Sequence, residues 1–263
     1  MRRLLIRTAD AAGRAAARLD SALLYISAGL CRIDDVRRRA LAAWNEFLVD
    51  DDNAWTAMAW ESEAADRSCR AGDHVLVVGC GSGRDLAMLL DRGCRVTGLD
   101  PARGALDAAR IRLAGRAPSV PLVGAFFEDA PLASSFDVIW FSWFCYSYIP
   151  ESQRRIAVLR KACALLRPGG RVVVSLLGPA PESRLWRLGR IAGALSRSDW
   201  RIAAGDVFVR LPASGAFRYE HLFGPGEADM EAVAANLMVS SRLQGGQVLV
   251  LEARLPDTPA DHT

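Results

Sequence analysis

The residues whose types and spacing could do chemistry begin at Val75, where the chain reads Val-Leu-Val-Val-Gly-Cys-Gly-Ser-Gly through Gly83. An apolar strand running into glycines 79, 81 and 83 builds a turn whose backbone can approach a ligand, because no Cβ stands in the way. Seventeen residues after Gly83, Asp100 ends a second apolar strand, Val96-Thr97-Gly98-Leu99. An acid at the end of that second strand can accept the two hydroxyls of a ribose, and the series strand, glycine turn, helix, strand, acid is the first half of a doubly wound nucleotide-binding domain. The ligand implied is a nucleoside. A dinucleotide fold would place a third glycine three residues after the second, and Arg84 occupies that position.

The elements that must position these residues follow from the local patterns. The first strand is expected over 74–78 and a helix over 84–91, with Gly93 as its C-terminal cap. Pro101 falls in the first turn of the next helix. Leu122-Val123-Gly124 reads as a third strand, 136–141 as a fourth, 151–166 as an amphipathic helix and 171–175 as a fifth strand after a Gly169-Gly170 turn. Residues 178–222 form an excursion longer than a plain connection needs. It holds a helix over 183–195, then a hairpin of 206–211 and 217–222 around Ala213-Ser214-Gly215. A helix over 226–237, a strand over 239–243 and a closing strand over 247–253 complete the series. Upstream, helices are expected over 3–29 and 34–48, followed by an acidic break at Asp50-Asp51-Asp52-Asn53.

Over roughly residues 70–255 the chain resembles the class I S-adenosylmethionine-dependent methyltransferases. The resemblance rests on Gly79-Cys80-Gly81-Ser82-Gly83, on Asp100-Pro101, on Phe136-Asp137-Val138-Ile139-Trp140-Phe141, and on Leu166-Arg167-Pro168-Gly169-Gly170 followed by Arg171-Val172-Val173-Val174-Ser175, four landmarks in order. It implies a Rossmann-like α/β fold with a seven-stranded mixed sheet, the last strand antiparallel, and S-adenosylmethionine as cofactor. It also implies a cofactor site of Gly79, Cys80, Gly81, Gly83, Asp100, Pro101, Phe126, Phe127 and Ser142. Two positions depart from the family pattern. Many relatives carry an acid two residues before the first glycine, where this chain has Val77, and the acid that often faces adenine after strand three is replaced near Phe126. Phe126 or Phe127 could stack on adenine, with Glu128 and Asp129 reading its edge, or both rings could belong to the core.

The fourth strand exits into Ser142-Trp143-Phe144-Cys145-Tyr146-Ser147-Tyr148-Ile149-Pro150, where relatives place the methyl acceptor, so Trp143, Tyr146 and Tyr148 are expected substrate contacts, joined by His221 from the end of the hairpin. The Asn/Asp-Pro-Pro-aromatic motif of nucleic-acid amino-methyltransferases is missing, and Cys145 follows Phe144 rather than proline, which disfavours nucleic-acid acceptors. Arg84-Asp85 and the upstream tryptophans are similar to the thiopurine and tellurite branch. Trp44, Trp55 and Trp60 would either fold over the cofactor as a lid or fasten the extension to the core. If the acceptor must lose a proton, elimination leaves His221 as base with Tyr146, Tyr148 and Glu220 behind it, since His74 begins strand one, about 16 Å from its far end, and His262 lies in a polar tail.

Composition bounds the rest. With 263 residues, 51% of them hydrophobic, the chain can bury one sizeable core plus an appendage. This gives an N-terminal helical extension or lid at 1–70, a cofactor-binding domain at 71–255 and a polar tail at 256–263. The net charge of +3 is too small for a protein dominated by nucleic-acid contacts, and it is unevenly placed: the first forty residues carry nine arginines against four aspartates. Arginine supplies all the basic residues but Lys161, a composition that fits a GC-rich bacterial genome. Six cysteines, at 31, 69, 80, 94, 145 and 163, form no Cys-x-x-Cys pair, and with three histidines outside ligand spacing they suggest reduced thiols in a cytoplasmic protein without a metal. No apolar run reaches spanning length. The first helix interleaves arginines with Leu4, Leu5, Ile6, Leu19, Leu23, Leu24 and Ile26, as an interfacial helix does and as an ordinary edge helix also does.

The functional expectation is methyl transfer to oxygen, nitrogen or sulfur of a small or lipid-like acceptor, with peripheral membrane contact through the first helix. A non-catalytic cofactor-binding regulator is the alternative, and a nicotinamide oxidoreductase a third reading. Oligomeric state is not legible.

Overall fold

A computed structural model describes residues 1–47, 56–133, 135–179, 183–211 and 217–253. Trp55, the acidic break at 50–53, the hairpin turn at 213–215 and His262 lie outside them.

Three helices open the chain: α1 (Arg2–Leu30), α2 (Ile33–Phe47) and α3 (Ala59–Ser68). Then β1 (His74–Val78), α4 (Arg84–Asp91), β2 (Arg95–Leu99), α5 (Arg103–Leu113), β3 (Leu122–Val123) and β4 (Phe136–Phe141) alternate. A 3-10 turn, Cys145–Tyr148, leads to α6 (Ser152–Leu165) and β5 (Leu166–Ser175). The excursion holds α7 (Trp186–Ser196), β6 (Asp206–Arg210) and β7 (Phe217–His221), before α8 (Glu227–Ala234), β8 (Leu237–Leu243) and β9 (Val248–Ala253). Helix α5 starts at Arg103, so Pro101 precedes its first turn instead of lying in it.

The seven-stranded sheet has the order β3-β2-β1-β4-β5-β9-β8, and β6 and β7 pair separately. Strands β1 to β5 pair in parallel, whereas β9 runs antiparallel to both β5 and β8. The expected mixed sheet with an antiparallel last strand is therefore present. Strand order reverses between β1 and β4, which opens a crevice at their carboxyl ends. The central strands are buried on both faces, as their unbroken apolar runs require. One core cluster lies on each side of the sheet, the first built around Leu76, Ile139, Val172 and Leu249, the second around Val75, Val77, Trp140 and Val250.

A third core lies outside the sheet. It joins Leu24, Tyr25, Ala28, Ile33 and Val36 of the first two helices to Trp200, Ile202, Phe208, Phe217 and Tyr219 of the excursion. The N-terminal extension and the excursion thus pack on one another, with α2 held above the carboxyl ends of the sheet.

Candidate active site

The glycine turn is built by its own backbone. Amides of Gly79 and Cys80 both donate to Leu99 O, at 2.8 and 3.0 Å, tying the end of β1 to the end of β2. Gly79, Gly81 and Gly83 have φ of 69°, 53° and 86°, a region that favours glycine. The three differ in purpose. A Cβ on Gly81 would meet open space, one on Gly79 would meet Cys145 Cβ at 3.0 Å, and one on Gly83 would meet Ala109 Cα at 3.2 Å. Gly81 therefore faces the cleft, whereas Gly83 seats α4 against α5 and lies outside the cleft wall.

Asp100 locks this turn from β2. Its Oδ2 accepts the Gly81 amide at 3.0 Å and its Oδ1 the Ala102 amide at 2.8 Å. An ionised carboxylate has about four lone-pair sites, so two remain for a ligand. Burial raises the carboxyl above its usual range, opposed by the two amides.

The cleft encloses about 220 Å³. Its floor is Val78 to Ser82 with Leu99, Asp100 and Pro101; one wall is Phe126, Phe127 and Glu128, and the other is Phe141 to Trp143 with Cys145 and Tyr148 to Pro150. Helix α2 covers it with Val36, Arg37, Ala40, Leu41 and Trp44, residues at helical spacing on one face. Arg37 lies over the Phe126 ring, 4.1 Å from its centroid, and pairs with Asp129. Trp44 packs edge-on against Tyr148 at 4.7 Å, and Arg218 of β7 lies over Trp44 at 5.0 Å. Phe126 is the half-buried, cleft-facing ring of its pair; Phe127 is buried in the core against Phe141 and only edges the cleft. Trp60 packs near Phe144, at 5.7 Å, and belongs to the core beneath the sheet.

Under the turn sits a buried charged cluster that sequence reasoning missed. Arg84 donates to Glu61 of α3 and, through Nε, to Asp85 Oδ1 at 2.8 Å. Asp85 Oδ2 also accepts Trp140 Nε1 at 3.0 Å and Ser142 Oγ at 2.7 Å. Glu61 is fully buried, and burial first, then Asp85, pushes its carboxyl up to about 7 against the pull of Arg84. Lys161, the only lysine, was also missed. Its Nζ donates to the carbonyls of Phe127, Glu128 and Ala130 at 2.7, 3.0 and 2.8 Å, fixing the wall that follows β3.

Two of the residues expected to do chemistry are not brought to the cleft. His221 is 1% exposed, with Nδ1 2.8 Å from Asp206 Oδ1 and Nε2 2.8 Å from Glu227 Oε1. Burial alone would lower its pKa, but the hydrogen bonds to Asp206 and Glu227 outweigh it and raise the value. Both ring nitrogens thus face structural carboxylates, an arrangement that favours the protonated ring. Tyr146 is equally buried and donates to Glu231 at 2.7 Å, in a network that Arg155 completes. These positions correct the expectation that His221 and Tyr146 face an acceptor: the buried face of β7 carries His221 inward, and the 3-10 turn points Tyr146 at α8. Trp143 and Tyr148 do line the cleft.

What the cleft can do chemically follows from its ionisable groups. Burial lifts the thiols of Cys80 and Cys145 well above their usual range and the Tyr148 phenol above its own. Arg84 is committed to its two carboxylates, and Glu128 stands exposed at the rim. Among the described residues no group of three or more His, Cys, Asp or Glu side chains is arranged to hold a metal ion. Open glycine backbone, a carboxylate with spare acceptors and aromatic walls fit a nucleoside with a flexible amino-acid tail.

Comparison with known proteins agrees. Residues 75–170 match the family model described as a methyltransferase domain. The chain is 33% identical over 113 residues to the cypemycin N-terminal methyltransferase of a Streptomyces species, covering 43% of this chain and 45% of that protein. It is 30% identical over 158 residues to the ubiquinone biosynthesis O-methyltransferase of Vibrio parahaemolyticus, covering 59% and 60%. The match thus spans about half the length of these relatives. Among solved structures, the CcbJ methyltransferase of Streptomyces caelestis superposes with a TM-score of 0.57 at 22% identity, over 77% of this chain and 94% of that one. The Burkholderia thailandensis 1,6-didemethyltoxoflavin-N1-methyltransferase, solved with S-adenosylhomocysteine, does so with 0.58 at 18%, over 84% and 88%. Strand order, glycine turn, acid-ended second strand and the match over residues 75–170 together make this chain similar to the class I S-adenosylmethionine-dependent methyltransferases, whose fold it shares.

Proposed function

We propose that the protein transfers a methyl group from S-adenosylmethionine to a nitrogen of a small, largely apolar acceptor. The observation that carries this is the cleft's lining: burial lifts the thiols of Cys80 and Cys145 and the phenol of Tyr148, Asp100 is engaged by two backbone amides, and the remaining carboxylate, Glu128, stands at the rim. A neutral amine brings its own lone pair and needs no base at the moment of transfer. A phenol or alcohol would have to lose its proton to a group in the cleft. The name of one similar protein, the toxoflavin N1 enzyme, describes nitrogen methylation, that of the cypemycin enzyme describes an N-terminal acceptor, and that of the ubiquinone relatives describes oxygen methylation.

In this reading the cofactor supplies an electrophilic methyl group on a sulfonium. Asp100 accepts the ribose hydroxyls with its two unused lone-pair sites. Gly79, Cys80 and Gly81 hold the methionine portion by backbone, and Pro101 borders the ribose. Phe126, backed by Arg37, lies against adenine, and the Lys161 clamp keeps that wall in place. Ser142 acts through Asp85 on the strand ends. Trp143, Tyr148 and Trp44 enclose the acceptor, exclude water and hold its nitrogen in line, and such positioning alone lowers a barrier by several kcal/mol. The apolar walls suit a lipid-like body, which a membrane surface would collect and the arginine-rich α1 would meet; no described helix is long and apolar enough to cross a membrane.

The test is a panel of matched amine and phenol acceptors, read by release of S-adenosylhomocysteine across pH. Turnover should favour the amines and follow the acceptor's own pKa. Faster methylation of a phenol than of its amine counterpart would contradict the reading.

A further inference from the structure

Helix α1 has 29 residues, about 43 Å at 1.5 Å per residue. Every described side chain from Met1 to Asp20 is exposed, and only the last third of the helix packs on the body. Along it, Leu5, Ala9, Ala12, Ala16, Leu19 and Leu23 recur at alternating four- and three-residue steps. At 100° per residue they form one stripe, while Arg3, Arg7, Arg14 and Arg18 fall on the opposite side. Leu5 and Leu19 are 63% and 62% exposed.

The second half of the surface comes from the excursion. Helix α7 carries its own exposed stripe, Leu188, Ile191 and Leu195, the last two 58% and 81% exposed, with Arg187 and Arg190 away from it. The two helices meet through glycines. A Cβ on Gly29 would lie 2.0 Å from Gly189 O, one on Gly189 would lie 2.6 Å from Tyr25 O, and one on Gly193 would lie 3.1 Å from Gly29 O. Tyr25 next to Gly189 and Gly29 next to Gly193 make the helices parallel. With that direction and those contact points, the helical positions put both apolar stripes on the same side of the pair.

We propose that α1 and α7 together form a docking face for an anionic phospholipid surface, with both helices lying in the plane of the interface. Charge decides the occupant. On both helices the arginines lie off the apolar stripe, where an interfacial helix carries its basic face, and on α1 five arginines stand against two aspartates. A second copy of the chain would bring the same positive charge against itself, whereas anionic headgroups complement it within a Debye length. The α7 contribution is what distinguishes this face from a free N-terminal helix: the segment that docks also belongs to the excursion packed over the cleft. The inference rests on the surface and not on the cofactor reading.

The test is co-sedimentation of the full chain with vesicles of equal parts phosphatidylcholine and phosphatidylglycerol, and with vesicles of phosphatidylcholine alone. Two double variants, Leu19→Asp/Leu23→Asp and Ile191→Asp/Leu195→Asp, are run beside it, with melting temperature and S-adenosylhomocysteine affinity as fold controls. Expected are binding to the anionic vesicles that weakens with salt, and a loss on the order of tenfold or more in each variant, with both controls unchanged. Loss in the α1 variant with none in the α7 variant would overturn the two-helix face. Equal binding to neutral vesicles would overturn the anionic assignment. No vesicle binding, with a dimer by light scattering that both variants dissolve, would assign the face to a second copy. Vesicle binding without cofactor binding in the wild type would support this inference and sink the methyltransferase reading instead.

Discussion

Replacing Arg84 by methionine tests whether the charged cluster under the glycine turn is a structural unit. The side chain is 11% exposed and is the cation between two acids that are 0% and 1% exposed. Removing one partner of a buried ion cluster costs about 3–5 kcal/mol. For a chain of this size that lowers the melting temperature by about 6–20 °C, taking about 2–4 °C per kcal/mol. The deficit should depend on pH in a definite sense. Glu61 is already pushed up to about 7, chiefly by burial, and Arg84 is the cation holding it down. Without it the variant keeps Glu61 protonated well above neutrality, while the wild type releases that proton above about 7. A raised folded-state value gives stability that is present at low pH and lost as pH rises, so above pH 7 the variant loses about 1.4 kcal/mol per pH unit more than the wild type. Urea unfolding followed by tryptophan fluorescence at pH 6 and pH 8.5 should show a deficit about 2 kcal/mol larger at the higher pH. Adding Glu61→Gln to the variant should remove that dependence. Equal deficits at both pH values, or a deficit below about 1 kcal/mol at pH 8.5, would refute the reasoning.

Lys161→Met removes three charge-assisted hydrogen bonds from the wall after β3; calorimetry should show cofactor affinity falling several-fold, and an unchanged affinity would end the clamp argument. His221→Gln should matter most below the ordinary histidine value. Because the folded-state pKa is raised, the latch between Asp206 and Glu227 is complete below about 6.5 and fades as pH rises through the folded value; a stability gap that widened with pH would contradict it. In methyl transfer the same variant should retain substantial kcat, since the ring does not reach the cleft. Gly189→Ala forces a methyl against Tyr25 O and Ile202 Cδ1, at 2.6 and 2.5 Å, and should destabilise by about 1–3 kcal/mol in thermal unfolding.

Much of the fold was legible because it is written in local chemistry. Glycines entering a left-handed turn after an apolar strand, an acid after the next, and a late Gly-Gly before a closing strand each carry their own signal. The same holds for the hairpin, whose two strands pair as the intervening turn residues imply. His221 shows where reading by elimination failed. Phe217, Tyr219 and His221 share one face at period two, and that face is buried; the alternation was visible and argued against an exposed base. Glu61 and Lys161 left no such mark, because a charged residue on a helix reads as surface until its partners, remote in sequence, close over it. Helix α2 lies between these cases: Val36, Ala40, Leu41 and Trp44 show a face, but only the third core shows that it covers the cleft.

The central claim is that the cleft between the glycine turn and Asp100 holds S-adenosylmethionine. Titration calorimetry of wild type and Asp100→Ala against S-adenosylmethionine, S-adenosylhomocysteine and NADH tests it directly. Two charge-assisted hydrogen bonds to the ribose contribute about 1.5–3 kcal/mol each, so micromolar binding of both sulfur nucleosides should weaken by a hundredfold or more in the variant, with no binding of NADH. Failure of the wild type to bind either sulfur nucleoside, or tighter binding of NADH, would contradict the account.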